Sequence, residues 1–199
     1  MLAAIIGLIG VVIGVVGTLF VSVLTTKATE RQSREARREE RQDRARELAA
    51  TAYVSAVEAV AWLSSMHVED SVDPQFMPEY EPKTVRAIDA LHSARRDLTQ
   101  VSALGGSRAL AEVVPDVVIA LGTLGDSWEQ AQHYRRWQVS GRKSLINADE
   151  AFDREYKRMD AARERLCGRK TDLPSRETDE GLVLDGSLLG RLRAATAAT

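Results

Sequence analysis

The sequence predicts an all-α protein, in which a single N-terminal transmembrane helix continues into a charged helical stalk and then into a small antiparallel helical bundle of about four helices. Three observations favour this fold class. Residues 2–24 contain no charged side chain, residues 27–47 are rich in Arg and Glu, and the rest of the chain repeats apolar residues every three or four positions. A half-buried strand would alternate apolar and polar residues, and no convincing run of this kind occurs.

The composition of the whole chain is an average of these unlike parts. Of the 199 residues, 28% are charged and 44% are apolar, and the net charge of −2 argues against a generally basic nucleic-acid binder. The single cysteine, Cys167, excludes an intramolecular disulfide framework and a zinc site built from cysteines. We expect a transmembrane anchor at 1–26, a charged juxtamembrane helix at 27–47, a cytoplasmic helical bundle at 48–168 and a mostly disordered tail at 169–199, with at most a short helix around Leu188–Ala195.

The N-terminal segment is long enough to cross a membrane. A spanning helix needs about 20 apolar residues, and Leu2–Leu24 is an uncharged run of 23. A cleaved signal peptide would have a basic start and a shorter apolar core, so a retained anchor is favoured. Residues 27–46 hold eight basic side chains, and the other side of the span holds none. The positive-inside rule therefore predicts an inner-membrane protein with its N-terminus outside and its C-terminal body in the cytoplasm.

Four glycines in this anchor fall on one helical face. Gly7, Gly10, Gly14 and Gly17 are spaced by three, four and three residues, which keeps them on one stripe of a helix. Glycine lets a second backbone approach closely in lipid, so we expect these residues to pack membrane helices together and to favour a homo-oligomer. The alternative is that glycine is simply common in membrane helices.

The charged stretch 27–47 carries opposite charges at helical spacing. Four pairs stand three or four residues apart and would stabilise a solvated helix by about 0.2–0.5 kcal/mol each: Glu30/Arg34, Arg31/Glu35, Glu40/Arg44 and Glu35/Arg38. We expect the basic residues nearest the anchor to attract anionic lipid at the membrane surface; these are Lys27, Arg31, Arg34, Arg37 and Arg38. Nucleic acid is disfavoured, because acidic residues are interleaved and no aromatic side chain could stack on a base. Charged a and d positions argue against a conventional coiled coil.

Four amphipathic segments make up the predicted bundle. They are helices at about Leu48–Met66, Lys83–Leu104, Asp116–Val139 and 148–167. The first is too polar for a second membrane span. We expect a loop at 67–82 because it holds three prolines, an N-cap at Ser107 and a break or kink at Pro115. The fourth helix is expected to be capped by Asn147, to end before Gly168 and to bury one stripe made of Ala148, Phe152, Tyr156, Met159, Ala162 and Leu166.

No motif predicts catalytic, cofactor-binding or metal-binding residues. Asp89 and His92 form a single carboxylate-x-x-His pair, whereas a di-metal bundle needs two such pairs. Glu129 and His133 lie away from the apolar face of their predicted helix. Acidic residues early in the fourth helix, among them Glu155, are explained by the helix dipole. Arginines beside Cys167 favour a depressed pKa of its thiol, but no histidine or second cysteine is near in sequence, so a reactive thiol is not expected.

One group of aromatic and arginine side chains is a candidate site for binding a protein partner. Tyr134, Arg135 and Trp137 lie in the run HYRRW at the end of the third helix, and Trp, Tyr and Arg dominate the energetics of protein interfaces. We expect them to form a patch that binds a protein partner. The alternative for Arg135 is a side chain that lies along apolar surface with its charged end in water.

The order of these parts resembles a loose group of actinomycete membrane proteins, some of them labelled KilB-like after plasmid-spread proteins of mycelial bacteria. The resemblance consists of a Gly-rich span, the run REARREERQDRAR at Arg34–Arg46 and an Ala-rich helical body. It covers residues 1–65 and includes no catalytic motif. It implies a cytoplasmic-membrane protein that assists plasmid transfer between hyphal compartments.

The sequence therefore predicts a membrane-anchored helical interaction or scaffold protein without catalytic activity, and it does not name a specific role. The expected partners are the lipid bilayer, a second copy of the chain and a protein of unknown identity. Two alternatives remain open: a plasmid-spread accessory protein, and a membrane-anchored enzyme whose site the motifs do not reveal.

Overall fold

A computed structural model describes the backbone of residues 2–66, 77–139, 147–168, 183 and 185–198, and the side chains in these ranges except those of residues 2–24, 26, 28, 77, 79 and 139. Five helices follow one another: α1 (Leu2–Ser65), α2 (Met77–Leu104), α3 (Arg108–Val139), α4 (Ala148–Cys167) and α5 (Leu188–Ala197). These residues include no β-strand, so the prediction of an all-α protein is confirmed for this part of the chain.

Helix α1 unites three segments that the sequence treats separately. The apolar run, the charged stretch and the first amphipathic segment form one unbroken helix of 64 residues. The chain divides into two compact units, Met1–Arg41 and Gln42–Thr199. In the first unit, the described side chains of residues 25–41 are all exposed, as expected for a solvated charged helix.

In the second unit, α1 contributes a seam of small residues to the core. Six of its buried positions are spaced alternately by four and three residues, which places them on one helical face: Ala45, Ala49, Ala52, Ala56, Ala59 and Leu63. Val57, Val60 and Ser64 beside them are also buried. Because alanine is short, neighbouring helices can approach this face closely. The core begins at Ala45, which is N-terminal to the expected start of the bundle at residue 48.

Helix α2 begins earlier than expected. The predicted loop at 67–82 is wrong for residues 77–82, because α2 starts at Met77 and contains Pro82. Pro78 falls in the first turn, where backbone N–H groups have no partner within the helix. Pro82 is exposed, so water can reach the Pro78 carbonyl, which has no helical donor. Residues 67–76 lie outside the described part.

Helix α3 runs through the proline at which a break or kink was expected. It begins at Arg108 and includes Pro115. The N-cap prediction is confirmed, because the Ser107 hydroxyl accepts a hydrogen bond from the Leu110 N–H at 3.4 Å. The Ala111 carbonyl has no donor from Pro115, but both residues are exposed. Solvation of that carbonyl lets the helix continue.

Helices α2 and α3 pack closely in antiparallel directions. A Cβ atom at Gly125 would lie 3.2 Å from Leu91 Cδ2, and one at Gly122 would lie 3.4 Å from Arg95 Nη2. The later α3 residue therefore meets the earlier α2 residue, with Gly105 at φ +68° in the turn between the helices. Helix α3 also contacts α4 and α5, most extensively α4, so it is the central element of the unit.

Helix α4 has the predicted bounds and buries most of the predicted face. Asn147 stands at its N-cap without a side-chain hydrogen bond, and Gly168 ends it in the left-handed conformation, donating its N–H to the Glu164 carbonyl at 2.7 Å. Most of the predicted stripe is buried, but Tyr156 is 36% exposed. The prediction is wrong at Tyr156, because Glu155 and Arg163 occupy the buried face instead.

The last helix belongs to the core of the second unit. Ser187 caps α5 by accepting a hydrogen bond from the Gly190 N–H at 3.0 Å. Leu189 and Leu192 are fully buried, and α5 packs against α3 and α4. The short helix expected around Leu188–Ala195 is therefore present and forms part of the packed structure. Residues 169–182 lie outside the described part.

Helix α1 is long and apolar enough to span a membrane. Within the residues whose side chains are described, the segment that is long and apolar enough is Thr29–Ser65. Of its most apolar stretch of 18 residues, 44% is buried inside the protein. This stretch overlaps the predicted helix Leu48–Met66, which was expected to be too polar to span a membrane. A helix that packs in a protein core meets the same criterion of length and composition. The anchor predicted at Leu2–Leu24 lies outside the described side chains.

Candidate functional site

Three rings form a cluster near the C-terminal end of α3, which we call the α3 aromatic cluster: His133, Tyr134 and Trp137. The His133 and Trp137 rings have centroids 4.3 Å apart and are tilted by 57°. The Tyr134 ring meets Trp137 edge-on at 6.0 Å and also packs against the hydrophobic core. Helical spacings of three and four residues bring these rings together.

One side of the α3 aromatic cluster packs against the protein, and the other side is exposed to solvent. Tyr134 and Trp137 are half-buried, and His133 is exposed. The predicted patch residues Tyr134 and Trp137 are therefore brought into contact. Sequence reasoning set His133 aside as a surface histidine; the signal that could have identified it is its spacing of four residues from Trp137.

Arg135 is held by a polar contact beside this cluster. Its Nη1 donates to Gln138 Oε1 at 3.0 Å, and Gln138 Nε2 donates to Asp149 Oδ1 at 2.6 Å. These contacts link the end of α3 to the start of α4. The Nε atom of Arg135 is buried without a hydrogen-bond partner. Arg135 thus lies half-buried and fixed in orientation.

A buried polar contact between α3 and α4 was not predicted. Ser127 Oγ donates to Glu155 Oε2 at 3.2 Å, and Glu155 Oε1 accepts from Arg158 Nη1 at 3.1 Å. The Glu155 side chain is only 8% exposed. The helix dipole explains an acidic residue here but not its burial. The signal for burial is that Glu155 stands three residues after Phe152 and four before Met159, on the apolar face.

A buried arginine connects α4 to the end of α1. Arg163 Nη2 donates to the Leu63 carbonyl at 3.0 Å, one of the last-turn carbonyls of α1 that lack a helical donor. Arg163 Nη1 donates to Asp160 Oδ1 at 3.2 Å, and its Nε is buried without a partner. Burial lowers the pKa of the Arg163 guanidinium from its ordinary value, and the nearby Asp160 opposes this change.

The cysteine is buried beside this arginine. Cys167 is fully buried, and burial raises the pKa of its thiol to about 11, although the charge of Arg163 acts in the opposite direction. The arginines that flank Cys167 in sequence therefore do not depress this pKa. Desolvation of the thiolate exceeds the attraction of the neighbouring cation, and a protonated thiol is a poor nucleophile.

The predicted membrane sites are described only in part. Gly7, Gly10, Gly14 and Gly17 lie in the helical backbone of α1, but their surroundings are outside the described part. The basic residues expected at the membrane surface are all exposed: Lys27, Arg31, Arg34, Arg37 and Arg38. Of the four predicted charge pairs, the Glu30/Arg34 pair is within 4 Å, at 3.9 Å, and a pair that was not predicted joins Arg46 to Asp43 at 3.3 Å.

The remaining polar groups are dispersed over the described surface. Asp89, His92, Glu129 and His133 are exposed, and the described residues contain no group of three or more His, Cys, Asp or Glu side chains that could hold a metal ion. An open groove of about 530 Å³ follows the outer face of α4, and its lining is charged apart from one alanine: Glu150, Asp153, Arg154, Lys157, Arg158 and Ala161.

Comparison with known proteins gave no match to a protein-family model, to a curated protein or to a solved structure.

Proposed function

We propose that this chain is a single-pass protein of the bacterial inner membrane that presents a helical body in the cytoplasm and acts by binding another protein, without catalysis. The observation that carries this proposal is the order of residues along α1. An uncharged run of 23 residues, Leu2–Leu24, is followed in the same helix by an exposed segment with many basic side chains.

The charge distribution supports the proposed topology. Eight basic side chains at residues 27–46 follow the uncharged run on its C-terminal side, and those described up to Arg41 are exposed and accessible to lipid headgroups. A cytoplasmic leaflet attracts such residues by about 1 kcal/mol each near the surface. The N-terminus would then lie outside, and the unit Gln42–Thr199 would lie in the cytoplasm.

The α3 aromatic cluster is the part of the body best suited to bind a protein. Amphipathic rings that are half-buried keep a fixed orientation and lose little conformational freedom on binding. The exposed imidazole of His133 rests on Trp137 and adds a hydrogen-bonding group to an otherwise apolar surface. Such a surface suits an apolar or cationic side chain of a partner.

Two measurements test the membrane anchor and its orientation. Extraction of membranes with alkaline carbonate should leave the full chain in the pellet, and a thiol reagent that does not cross membranes should label a cysteine placed before Leu2 but not one at Glu129, which is exposed on α3. The opposite labelling pattern would reject the topology.

A photo-crosslinking amino acid at His133 tests the binding site. It should capture a protein partner in native membranes, and Trp137→Ala should reduce the yield at least fivefold. The matched control is Gln130→Ala, an exposed residue one turn before the cluster, which should leave the yield unchanged. Equal yields from Trp137→Ala and Gln130→Ala would reject the cluster as the binding site.

A second candidate role is an accessory in plasmid spread. It is favoured by the arrangement of span, Arg/Glu run and Ala-rich body. This role requires that loss of the gene reduce spread of a plasmid between hyphal compartments while initial transfer into the recipient is unchanged. Unaltered spread would exclude it and leave the general binding role in place.

A further inference from the structure

The exposed part of α1 between Lys27 and Arg41 carries opposite charges on different faces. At about 100° per residue, five basic residues fall within a stripe about 80° wide, which we call the basic face: Lys27, Arg31, Arg34, Arg38 and Arg41. Three glutamates lie about 80–140° from the centre of that stripe, and we call them the acidic face: Glu35, Glu39 and Glu40. Two charges depart from this division: Glu30 stands beside the basic face, and Arg37 lies about 80° from its centre, between the two faces.

Both faces are available to a partner. The side chains from Thr29 to Arg41 are all exposed. Among the described residues, the one ion pair formed by either face joins Arg34 to Glu30, with the two charged atoms 3.9 Å apart. The remaining charges of the two faces are therefore not neutralised within the part of the chain that the structure describes.

We propose that each face binds the opposite face of a second copy of this chain, so that copies associate side by side in the membrane. This inference rests on the proposed membrane anchor. Anchored copies run parallel and stand at the same height, so the basic face of one copy lies beside the acidic face of its neighbour over the same residues. The charges are complementary at residues 34–41, where Arg34, Arg38 and Arg41 of one copy lie at the height of Glu35, Glu39 and Glu40 of the other.

The length of the basic face favours a parallel helix over lipid as its occupant. From Lys27 to Arg41 the face extends about 21 Å along the helix axis, whereas exposed charges are screened beyond about 8 Å at physiological ionic strength. Headgroups next to a spanning helix would therefore reach only its first residues. The acidic face of a neighbouring copy lies farther from the membrane, at residues 35–40, where it is level with Arg38 and close to Arg41.

Each ion pair between two copies contributes little to their association, but several pairs together contribute more. Single exposed ion pairs contribute little, but confinement of both copies to one bilayer raises their effective concentration. The contact is also heterologous, because it joins a basic face to an acidic one, and each copy keeps one unused face. Association should therefore continue beyond a dimer and should weaken as salt is added.

Charge reversal tests the proposal with the full chain in phosphatidylcholine vesicles. Donor- and acceptor-labelled copies report association by energy transfer. A basic-face variant, Arg31→Glu with Arg38→Glu, and an acidic-face variant, Glu35→Arg with Glu39→Arg, should each lose self-association at least fivefold. A mixture of the two variants should recover it to within about twofold. The control Arg31→Lys with Arg38→Lys keeps the charge and should associate like the natural chain, and 0.5 M NaCl should weaken the association of the natural chain.

Three results would overturn the inference. Undiminished association of both reversed variants would show that another part of the chain joins the copies. Loss of association without recovery in the mixture would show that complementary charge is not the cause. Binding of the basic face to vesicles with phosphatidylglycerol, abolished by Arg38→Glu, with no energy transfer between copies, would identify anionic lipid as the occupant.

Failure of the membrane anchor can be recognised separately. If alkaline carbonate releases the chain from vesicles, the proposed function fails. The reversed variants then test the pairing in solution at raised protein concentration, where the mixture must still give more energy transfer than either variant alone. Equal signals there would reject the charge pairing as well.

Discussion

At the residue scale, two glycines of α3 occupy unequal spaces. A Cβ atom at Gly125 would lie 3.2 and 3.3 Å from the two methyl carbons of Leu91, whereas the nearest neighbour at Gly122 is the end of the Arg95 side chain at 3.4 Å. A core leucine has little room to move, but the guanidinium of Arg95 is flexible and half-buried. The same substitution should therefore have different effects at the two positions.

We expect Gly122→Ala to stabilise the protein by up to about 1 kcal/mol, because alanine is the better helix former. At Gly125 the same gain is opposed by overpacking against Leu91, which typically costs about 1–3 kcal/mol. Gly125→Ala should therefore be neutral or destabilising by up to about 2 kcal/mol. Urea unfolding of the two variants measures the difference, and equal shifts would contradict the packing at Gly125.

The buried thiol makes stability depend on alkaline pH. The pKa of Cys167 rises from an ordinary value of 9.0 to about 11 in the folded protein, so between these values the folded state retains a proton that the unfolded state has lost. The stabilisation associated with the protonated thiol is complete below pH 9 and is lost as the pH rises through about 11. Its size is about 2–3 kcal/mol.

The variant Cys167→Ala isolates this effect. It should reduce stability by a constant amount near neutral pH, because a buried sulfur is removed. Between pH 9 and 11 its free energy of unfolding should fall less steeply than that of the natural chain. Urea unfolding at several pH values gives both slopes. Parallel slopes over this range would show that the thiol titrates alike in the folded and unfolded chain.

At the scale of elements, Arg163 is the polar connection between α4 and the last turn of α1. Its side chain is 7% exposed, but that of Asp160 is 50% exposed. Removal of the arginine therefore leaves a carboxylate that water can solvate. Removal of the carboxylate leaves a buried guanidinium without its charge partner, which is the more costly change.

A double-mutant cycle should show this asymmetry. We expect Asp160→Asn to destabilise the natural chain by about 1–3 kcal/mol. In an Arg163→Met background, where an unbranched apolar side chain fills the space, the same change should have an effect within about 0.5 kcal/mol. Thermal or urea unfolding of the four proteins gives the coupling energy. A coupling near zero would mean that Asp160 does not neutralise Arg163.

The element boundaries show which sequence signals were reliable. Gly168 and Ser107 were identified correctly because their roles depend on local backbone geometry. Pro82 was misread as a loop residue, and α3 continues through Pro115, where a break or kink was expected. The cost of a proline depends on whether the carbonyl it leaves unpaired meets water. That information belongs to the folded surface and is absent from local sequence.

At the scale of the whole molecule, the candidate sites were predictable only where helical spacing within one element determines them. Tyr134 and Trp137 share a helix and their proximity follows from its period, and the same spacing would have added His133. The Ser127–Glu155 and Arg163–Leu63 contacts join different helices, so they depend on how α1, α3 and α4 pack. No single-sequence pattern specifies that packing.

The division of the chain at Arg41 leads to a prediction about fragments. The unit Gln42–Thr199 contains every described buried core residue, beginning with Ala45. Ala45 lies against the α2–α3 turn, because a Cβ atom at Gly106 would be 3.4 Å from the Ala45 Cβ. A fragment that starts at residue 42 should therefore fold cooperatively with its own core.

A fragment that starts at residue 48, the boundary expected from the sequence, should be less stable. It lacks Ala45, and it starts α1 in the turn that precedes the fully buried Ala49. The lost burial and the fraying of that turn should reduce the free energy of unfolding by about 1–2 kcal/mol. A fragment that starts at residue 42 and carries Ala45→Gly should lie between the two, because it keeps the backbone turn but loses the methyl group. If the fragments from 42 and 48 have the same stability, the small-residue seam of α1 begins to contribute only after residue 48.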